Sequence, residues 1–275
     1  MKKKNLKLII AFAIVCVNGM SLYVSCSNPK TAEDFVKSGD AYIEKGKYNS
    51  AIADYTEAIR LASDDIWRSF NVYKLRGDAY YKKKNYDLAI VDYTEAMHLA
   101  SYDILWRSYS VYNWRGNAYY EKGEFDMAIA DFTEAIRLAT DDIWRSIAYT
   151  SRGDAYYEKG ELDLAIADFT EAILLADDIE IRGSFMYTSR GDAYYEKGEL
   201  DLAIADYTEA IRWGSFDSDE IWNYFVYKLR GDVYYDKGDY DLAIGDYNDY
   251  LEYNPSDDEV KEKLENALKL RGVRF

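Results

Sequence analysis

Acidic and phenolic side chains follow each of six glycines at a fixed distance, and their chemistry is suited to recognition. An aspartate or asparagine comes directly after the glycine, and a tyrosine comes four residues after it in five of the six places. Carboxylates attract cations, and tyrosine offers a rigid ring with a polar tip. This recurrence predicts an extended acidic surface rather than one catalytic centre. The glycines are Gly39, Gly77, Gly116, Gly153, Gly191 and Gly231.

The other reactive residue types argue against catalysis. His98 is the only histidine, so a histidine metal cluster or a Ser–His or Cys–His nucleophile is hard to assemble. Both cysteines, Cys16 and Cys26, lie near the N-terminus, so the repeats carry no thiol. The sequence also lacks a glycine-rich loop of the phosphate-binding type. We predict that the protein is not an enzyme, with no catalytic, cofactor-binding or metal-binding residues.

Paired aspartates recur in the sequence and have the composition of a calcium site or a glycosidase dyad. They fall near the starts of predicted helices, where carboxylates cap free backbone amides and complement the helix dipole. We therefore interpret them as helix caps. The pairs are Asp64-Asp65, Asp141-Asp142 and Asp177-Asp178.

The distance between successive glycines is 37 to 40 residues, which indicates stacked structural units. In each unit, apolar residues recur at steps of three and four around the glycine and again after a short polar interruption. This pattern predicts two amphipathic helices per unit. Because such a pair cannot bury its apolar faces alone, the units must pack on one another as an all-α solenoid.

These units resemble the tetratricopeptide repeat, a helix–turn–helix unit with a Gly-x-x-Tyr, Ala-x-x-x-Phe/Tyr, Ala signature. Six consecutive matches cover most of the chain, and proteins of this family bind other proteins. In the fourth unit the signature positions are Gly153, Tyr156, Ala165, Phe169 and Ala172.

The resemblance implies the domain organisation. We expect a right-handed superhelical α-solenoid of six repeats of about 38 residues over residues 34–255. Ser256 and Glu259 form a capping-box pattern, which predicts a C-terminal capping helix over residues 256–271. Such a helix would shield the last repeat from water.

Each unit exceeds the family repeat of about 34 residues by about four, close to one helical turn. We predict an extra turn on the first helix of each unit, with its apolar side chains extending the core between repeats. Glu180-Ile181 replace these residues at the fourth-to-fifth junction, where we expect different packing. The added residues include Ile66-Trp67, Leu105-Trp106, Ile143-Trp144 and Ile221-Trp222.

An arginine directly precedes the glycine in five units, and an aspartate follows it sixteen residues later on the second helix. The matched spacing predicts an ion pair between the two helices, bidentate in the best case, with a structural role. The first unit has Ser38 in place of the arginine but keeps Asp54. The pairs are Arg76 with Asp92, Arg115 with Asp131, Arg152 with Asp168, Arg190 with Asp206, and Arg230 with Asp246.

The resemblance also implies which residues line the concave face, because in this family first-helix residues after the glycine do so. The first row is Asp40, Asp78, Asn117, Asp154, Asp192 and Asp232. The tyrosine row is Tyr81, Tyr120, Tyr157, Tyr195 and Tyr235, with Ile43 in the first unit. Together with the adjacent acids Glu158 and Glu196, these rows are the predicted partner-binding residues.

Two further expectations concern this face. We expect Tyr157 and Tyr195 to face solvent, and their neighbours Tyr156 and Tyr194 to face the packed side. Copying of a near-identical repeat would preserve the same residues without any binding role, and this alternative stays open.

The N-terminus has the pattern of a targeting segment. Lysines precede an apolar run over residues 8–17, which is too short to span a bilayer comfortably. The segment before Cys26 resembles a bacterial lipobox with Tyr23 at an unusual position. We predict a lipoprotein signal peptide over residues 1–25, lipidation of Cys26 and a tether over residues 26–33. Ordinary signal cleavage and an uncleaved anchor are the alternatives.

The net charge constrains the partner. The chain carries a formal charge of −16, and loss of residues 1–25, which hold four lysines and no acid, would make it −20. This field disfavours nucleic acid and anionic lipid surfaces and favours basic partners. We expect a protein or peptide partner of basic character and contact with a membrane only through the lipid anchor.

These observations predict a non-catalytic scaffold that is exported to the bacterial cell envelope and held at the membrane as a lipoprotein. The partner would bind along the acidic, tyrosine-lined concave face. The main alternative is a structural or self-assembling envelope protein, and a glycan-binding accessory module is the less favoured one.

Overall fold

The computed structural model describes residues 30–62, 66–100, 105–176, 183–214 and 220–272, and the statements below concern these residues. They form α-helices and no strand, and each helix packs on the next along the chain. The predicted all-α solenoid is confirmed. The thirteen helices are α1 Ala32–Glu44, α2 Tyr48–Leu61, α3 Ile66–Lys82, α4 Tyr86–Ala100, α5 Leu105–Glu121, α6 Phe125–Leu138, α7 Asp142–Glu158, α8 Leu162–Ala176, α9 Gly183–Glu196, α10 Leu200–Gly214, α11 Glu220–Lys237, α12 Tyr240–Tyr253 and α13 Asp258–Arg271.

Odd-numbered helices up to α11 are the first helices of the six units, and even-numbered helices are the second. Within the part of the chain that the structure describes, no helix has the length and apolarity needed to cross a membrane. The predicted signal peptide over residues 1–25 and Cys26 lie outside the described residues.

The first helices carry the predicted extra turn in most units. Helices α3, α5 and α7 have 17 residues, whereas α1 has 13. Helix α9 is described over 14 residues, and Glu180-Ile181, where different packing was expected, lie outside the described residues. At the start of α9, Gly183 packs so closely that an added Cβ would lie 3.3 Å from Cγ of Trp213.

The predicted core role of the added residues is wrong where the structure describes their side chains. Ile143 is 50% exposed and Trp144 is 46% exposed. These residues form the first turn of α7, and burial starts only in the next turn, at Ser146 and Ala148. Trp144 instead packs at a tilt against the ring of Tyr109, with 5.4 Å between centroids.

In each unit, the leading glycine of the first helix packs against one aromatic ring of the second helix. A Cβ added at Gly153 would lie 2.6 Å from Cε1 of Phe169, and this distance is shorter than the contacts that Cβ atoms make in proteins. The ring is 1% exposed, so it has no free space into which to retreat. The glycine is therefore required by the close approach of the two helices.

The turn between the two helices of a unit contains a residue with positive φ. Glycine occupies this position in five units, for example Gly160 at φ 75°. The second unit has Lys84 at φ 60°, a conformation that costs a side chain about 1–2 kcal/mol.

The capping helix α13 is present, but it begins later than the sequence pattern predicted. The cap is Asp257 rather than Ser256, because its side chain accepts a hydrogen bond of 3.1 Å from the backbone N–H of Val260. The carboxylate also accepts a 2.8 Å bond from the hydroxyl of Tyr250, which fixes it against the last repeat. Val260 and Ala267 are buried there, whereas Leu268 is 48% exposed.

Candidate functional site

The predicted arginine–aspartate pairs form and fix the first helix of each unit against the second. In the fourth unit, Nε of Arg152 donates to Oδ2 of Asp168 at 2.7 Å, and Nη2 donates to Oδ1 at 2.8 Å. The third donor, Nη1, reaches Thr133 of the preceding unit at 3.0 Å. The guanidinium also lies over the rings of Tyr149 and Tyr156, 5.5 and 5.8 Å from their centroids. The four other predicted pairs are bidentate in the same way: Arg76–Asp92, Arg115–Asp131, Arg190–Asp206 and Arg230–Asp246.

The first unit lacks this ion pair, and its aspartate is left with an unsatisfied carboxylate oxygen. Oδ2 of Asp54 is buried and has no hydrogen-bond partner among the described residues. Ser38 stands where the other units have arginine.

Four of the five first-row aspartates are held by a phenol from the second helix of their own unit. The hydroxyl of Tyr207, for example, donates to Oδ1 of Asp192 at 2.6 Å. Because the donor is a buried ring that packs on the leading glycine, it presents the carboxylate at a fixed place on the first helix. The equivalent pairs are Tyr55 with Asp40, Tyr93 with Asp78, and Tyr247 with Asp232.

The third and fourth units have phenylalanine in place of this tyrosine. Phe132 lies opposite Asn117 and Phe169 lies opposite Asp154, each fifteen residues after its first-row partner, as in the other units. Asn117 is neutral, so the third unit has no first-row carboxylate that needs a hydrogen-bond donor. Asp154 is ionisable and loses the phenol that every other first-row aspartate has.

The tyrosine row and the acids interleave across successive units. The hydroxyl of Tyr195 donates to Oδ2 of Asp236 in the next unit at 2.5 Å. Burial, with Asp192 and Glu196 of the next unit nearby, raises the pKa of Tyr157 to about 12. Burial, with Asp154 and Glu158 of the next unit nearby, likewise raises the pKa of Tyr120 to about 12.

The expectation that Tyr157 and Tyr195 face solvent is only partly met. Both rings are half-buried and pack against the apolar clusters beneath them. The reason is that each ring leans on the neighbouring unit. Tyr156 and Tyr194 are also half-buried, and they pack in the same two clusters and over Arg152 and Arg190.

The remaining predicted residues occupy the two ends of this row. Asp40 is exposed apart from its bond to Tyr55. The ring of Tyr81 meets Tyr86 edge-on at 5.5 Å, and that of Tyr235 meets Tyr240 at 5.6 Å.

Lysines neutralise two first-row aspartates, one near each end of the solenoid. Nζ of Lys74 lies 2.7 Å from Oδ2 of Asp78, four residues later on the same helix. Nζ of Lys263, on the capping helix, lies 3.0 Å from Oδ1 of Asp232. Asp154 and Asp192 form no ion pair with any described residue, and neither do Glu158 and Glu196. The centre of the row therefore carries its negative charge uncompensated.

A cavity of about 170 Å³ opens at this centre. Burial, with Glu158 and Asp192 nearby, raises the pKa of Asp154 to about 7. Burial raises the pKa of Asp192 to about 6, although the hydrogen bond from Tyr207 opposes the rise. The cavity is lined by Tyr120, Asp154, Tyr157, Glu158, Phe169, Ser189 and Asp192.

Sequence reasoning missed two determinants of this site. The spacing of Lys74 and Asp78 is an i, i+4 helix pair and could have been read directly. The contact of Lys263 depends on how the capping helix folds back, which no local pattern reveals. Among the described residues, no cluster of histidine, cysteine or carboxylate side chains has the arrangement of a metal site.

Comparison with known families identifies the repeats. Sequence patterns described as tetratricopeptide repeat match residues 107–177, residues 152–218, and residues 71–102 and 226–257, and one described as TPR repeat matches residues 39–71. The chain belongs to the tetratricopeptide repeat family. No curated protein matches it significantly.

Solved structures share the fold. A signal transduction ATPase of the STAND class with a tetratricopeptide repeat sensor, from Pyrococcus horikoshii, superposes with a TM-score of 0.76 at 15% identity, covering 88% of this chain and 39% of that one. The C-terminal part of a TPR repeat-containing protein from Cytophaga hutchinsonii gives 0.66 at 20% identity, covering 87% and 90%. A chain of the APC/C hetero-tetramer Cut9–Hcn1 gives 0.61 at 20% identity, covering 88% of this chain and only 44% of that one.

Proposed function

We propose that this protein is a protein-interaction scaffold of the bacterial cell envelope whose concave face binds a basic, extended protein segment. Tetratricopeptide repeat proteins generally act as scaffolds that bind protein partners. The finer parts of the proposal are the location, the anchor and the chemistry of the partner.

The observation that carries the proposal is the interleaved row of tyrosines and acids along the first helices. Each tyrosine offers rigid apolar area, and each is flanked by acids of its own or the next unit. Carboxylates at the centre of the row have no basic partner among the described residues. An extended segment with cationic side chains would contact several units at once and neutralise this charge.

The N-terminal sequence supports export and anchoring. A lysine-rich start, an apolar run and Cys26 have the order of a lipoprotein signal. A mature charge of −20 would keep the repeats off anionic lipid surfaces, so the acyl chains alone would hold the protein at the membrane.

A second candidate, self-association, is favoured by a row of exposed apolar side chains on the second helices. These side chains are 41–52% exposed and recur at the same position in five of the six units. They lie in the first turn of the second helix. The row is Leu88, Met127, Leu164, Leu202 and Leu242.

Position-resolved photo-cross-linking in the native host separates the two candidates. Benzoylphenylalanine at Ser189, which lines the central cavity and carries no charge, reports on the concave face. The same group at Leu164 reports on the second helices. The proposal predicts one predominant adduct from position 189 with a basic protein and little from position 164. Adducts from position 164 alone, at the mass of a dimer, would support self-association instead.

A further inference from the structure

Asp154 differs from the other five members of the first row, each of which either accepts a hydrogen bond from a phenol or is uncharged. Asp40, Asp78, Asp192 and Asp232 each accept a phenol hydrogen bond, and Asn117 carries no charge. Asp154 has neither the phenol nor a lysine. It is also the member whose carboxylate opens into a cavity beside a second uncompensated aspartate, Asp192.

We propose that the cavity between the third, fourth and fifth units is a pocket for one cationic side chain, lysine or arginine, of an extended peptide. The proposal rests on the binding function proposed above and names the place where that binding is anchored. Asp154 and Asp192 would accept hydrogen bonds from the cation, and Glu158 would add charge at the rim.

The lining of the cavity fits such a side chain. Its volume of about 170 Å³ is bounded by the aromatic rings of Tyr120, Tyr157 and Phe169. These rings suit the methylene stem of a lysine or arginine, and the face of a tyrosine ring attracts a cation within about 6 Å of its centroid. The charged end would then meet the carboxylates.

Electrostatics agree with the geometry. Burial among Glu158 and Asp192 raises the pKa of Asp154 to about 7, so part of the population relieves the repulsion by taking up a proton. The phenols that line the cavity, those of Tyr120 and Tyr157, are neutral in this range because their pKa values are raised to about 12. A bound cation would relieve the same repulsion without protonation.

One substitution tests the pocket without changing a charge. Phe169→Tyr restores the residue found at this position in four of the other five units, so its hydroxyl should donate to Asp154 as Tyr207 donates to Asp192. Phe132→Tyr makes the same chemical change one unit earlier, opposite the neutral Asn117. It is the matched control.

The probe is a blocked peptide of repeated Gly-Ser-Lys triplets, with a Gly-Ser-Gln peptide as the neutral reference. Its affinity for the full-length protein in nonionic detergent is measured by calorimetry at low salt. We expect Asp154→Asn to weaken binding by about five- to tenfold, because it removes a charge-assisted contact at the pocket. Phe169→Tyr should weaken binding less, because its hydroxyl occupies one carboxylate oxygen of Asp154 and part of the cavity but leaves the charge in place. Phe132→Tyr should leave the affinity unchanged.

The outcomes separate the two proposals. If the lysine peptide binds and its affinity is insensitive to Phe169→Tyr and Asp154→Asn but falls when Tyr81 and Tyr235 are replaced, the pocket is wrong and the wider groove stands. If the lysine peptide binds no better than the glutamine peptide, both proposals fail. Binding of Ca²⁺ alone, lost in Asp154→Asn, would make the cavity a metal site and overturn the peptide pocket.

Discussion

The hydroxyl of Tyr207 donates a 2.6 Å hydrogen bond to Oδ1 of Asp192 and so satisfies a carboxylate on the face that carries the tyrosine row. Phe169 holds the equivalent place in the preceding unit, and Asp154 is left without that donor. One oxygen atom per repeat therefore decides whether the first-row carboxylate has a hydrogen-bond donor in its own unit.

The unfolding temperature should depend on pH through Asp154. Its folded-state pKa of about 7 lies above its ordinary value of 3.8, so the folded protein binds the proton more tightly than the unfolded chain. Its contribution to stability is full below about pH 4 and is lost as the pH rises through about 7. Between about pH 6 and about pH 8, the unfolding temperature measured by melting curves should fall less in Asp154→Asn than in the wild type. Asp163→Asn, at an exposed aspartate, is the control, and identical pH slopes in all three proteins would contradict the assignment.

The close contact between glycine and ring predicts opposite effects for two glycine substitutions. Gly153→Ala should destabilise by about 1–3 kcal/mol, because the new methyl would overlap the buried ring of Phe169. Gly245→Ala should stabilise by about 0.5–1 kcal/mol, because it lies within α12 with open space around it. Urea unfolding of both variants measures the difference. Similar changes in the free energy of unfolding for the two variants would mean that Gly153 is not required by its packing against Phe169.

Ser38→Arg should stabilise the first unit. Phe35 and Tyr42 stand at the positions of the rings that flank the arginine in the other units, and Oδ2 of Asp54 lacks a partner. A charged hydrogen bond to this atom should give about 1–2 kcal/mol after the cost of ordering the side chain. Ser38→Gln supplies similar length without charge. If the two variants have equal denaturation midpoints, the missing pair is not what limits this unit.

The proposed lipid anchor depends on one residue, Cys26. Cys26→Ser should abolish acylation and move the protein from the detergent phase to the aqueous phase, whereas Cys16→Ser should change neither. A single chain binds membranes only marginally, so mass spectrometry of the N-terminal peptide should show two or three acyl groups. Detergent-phase partitioning of Cys26→Ser would disprove this anchor.

The helices and the ion pairs followed from the sequence because both depend on spacing that repeats. Arg152 and Asp168 have counterparts in register in five of the six units, and their bidentate contact needs only two packed helices. The site was harder to predict because it depends on exceptions to the repeat. Phe169 looked like a conservative variant of tyrosine, yet the missing hydroxyl changes the state of Asp154. Ile143 and Trp144 match a core pattern, but they lie in the first turn of α7, before the buried part of that helix begins. Where burial begins depends on where the neighbouring helices end, and a local pattern does not show this.

The most direct test of the central claim uses the partner captured from position 189, purified and titrated against the full-length protein. The affinity should be measured at about 50 mM and about 300 mM salt for the wild type and for Asp154→Asn with Asp192→Asn, because exposed charges are screened over about 8 Å at physiological ionic strength. We predict tight binding at low salt, a marked loss at high salt, and weaker binding with a smaller salt dependence in the double variant. An affinity that is the same at both salt concentrations and in both proteins would contradict an acidic binding face.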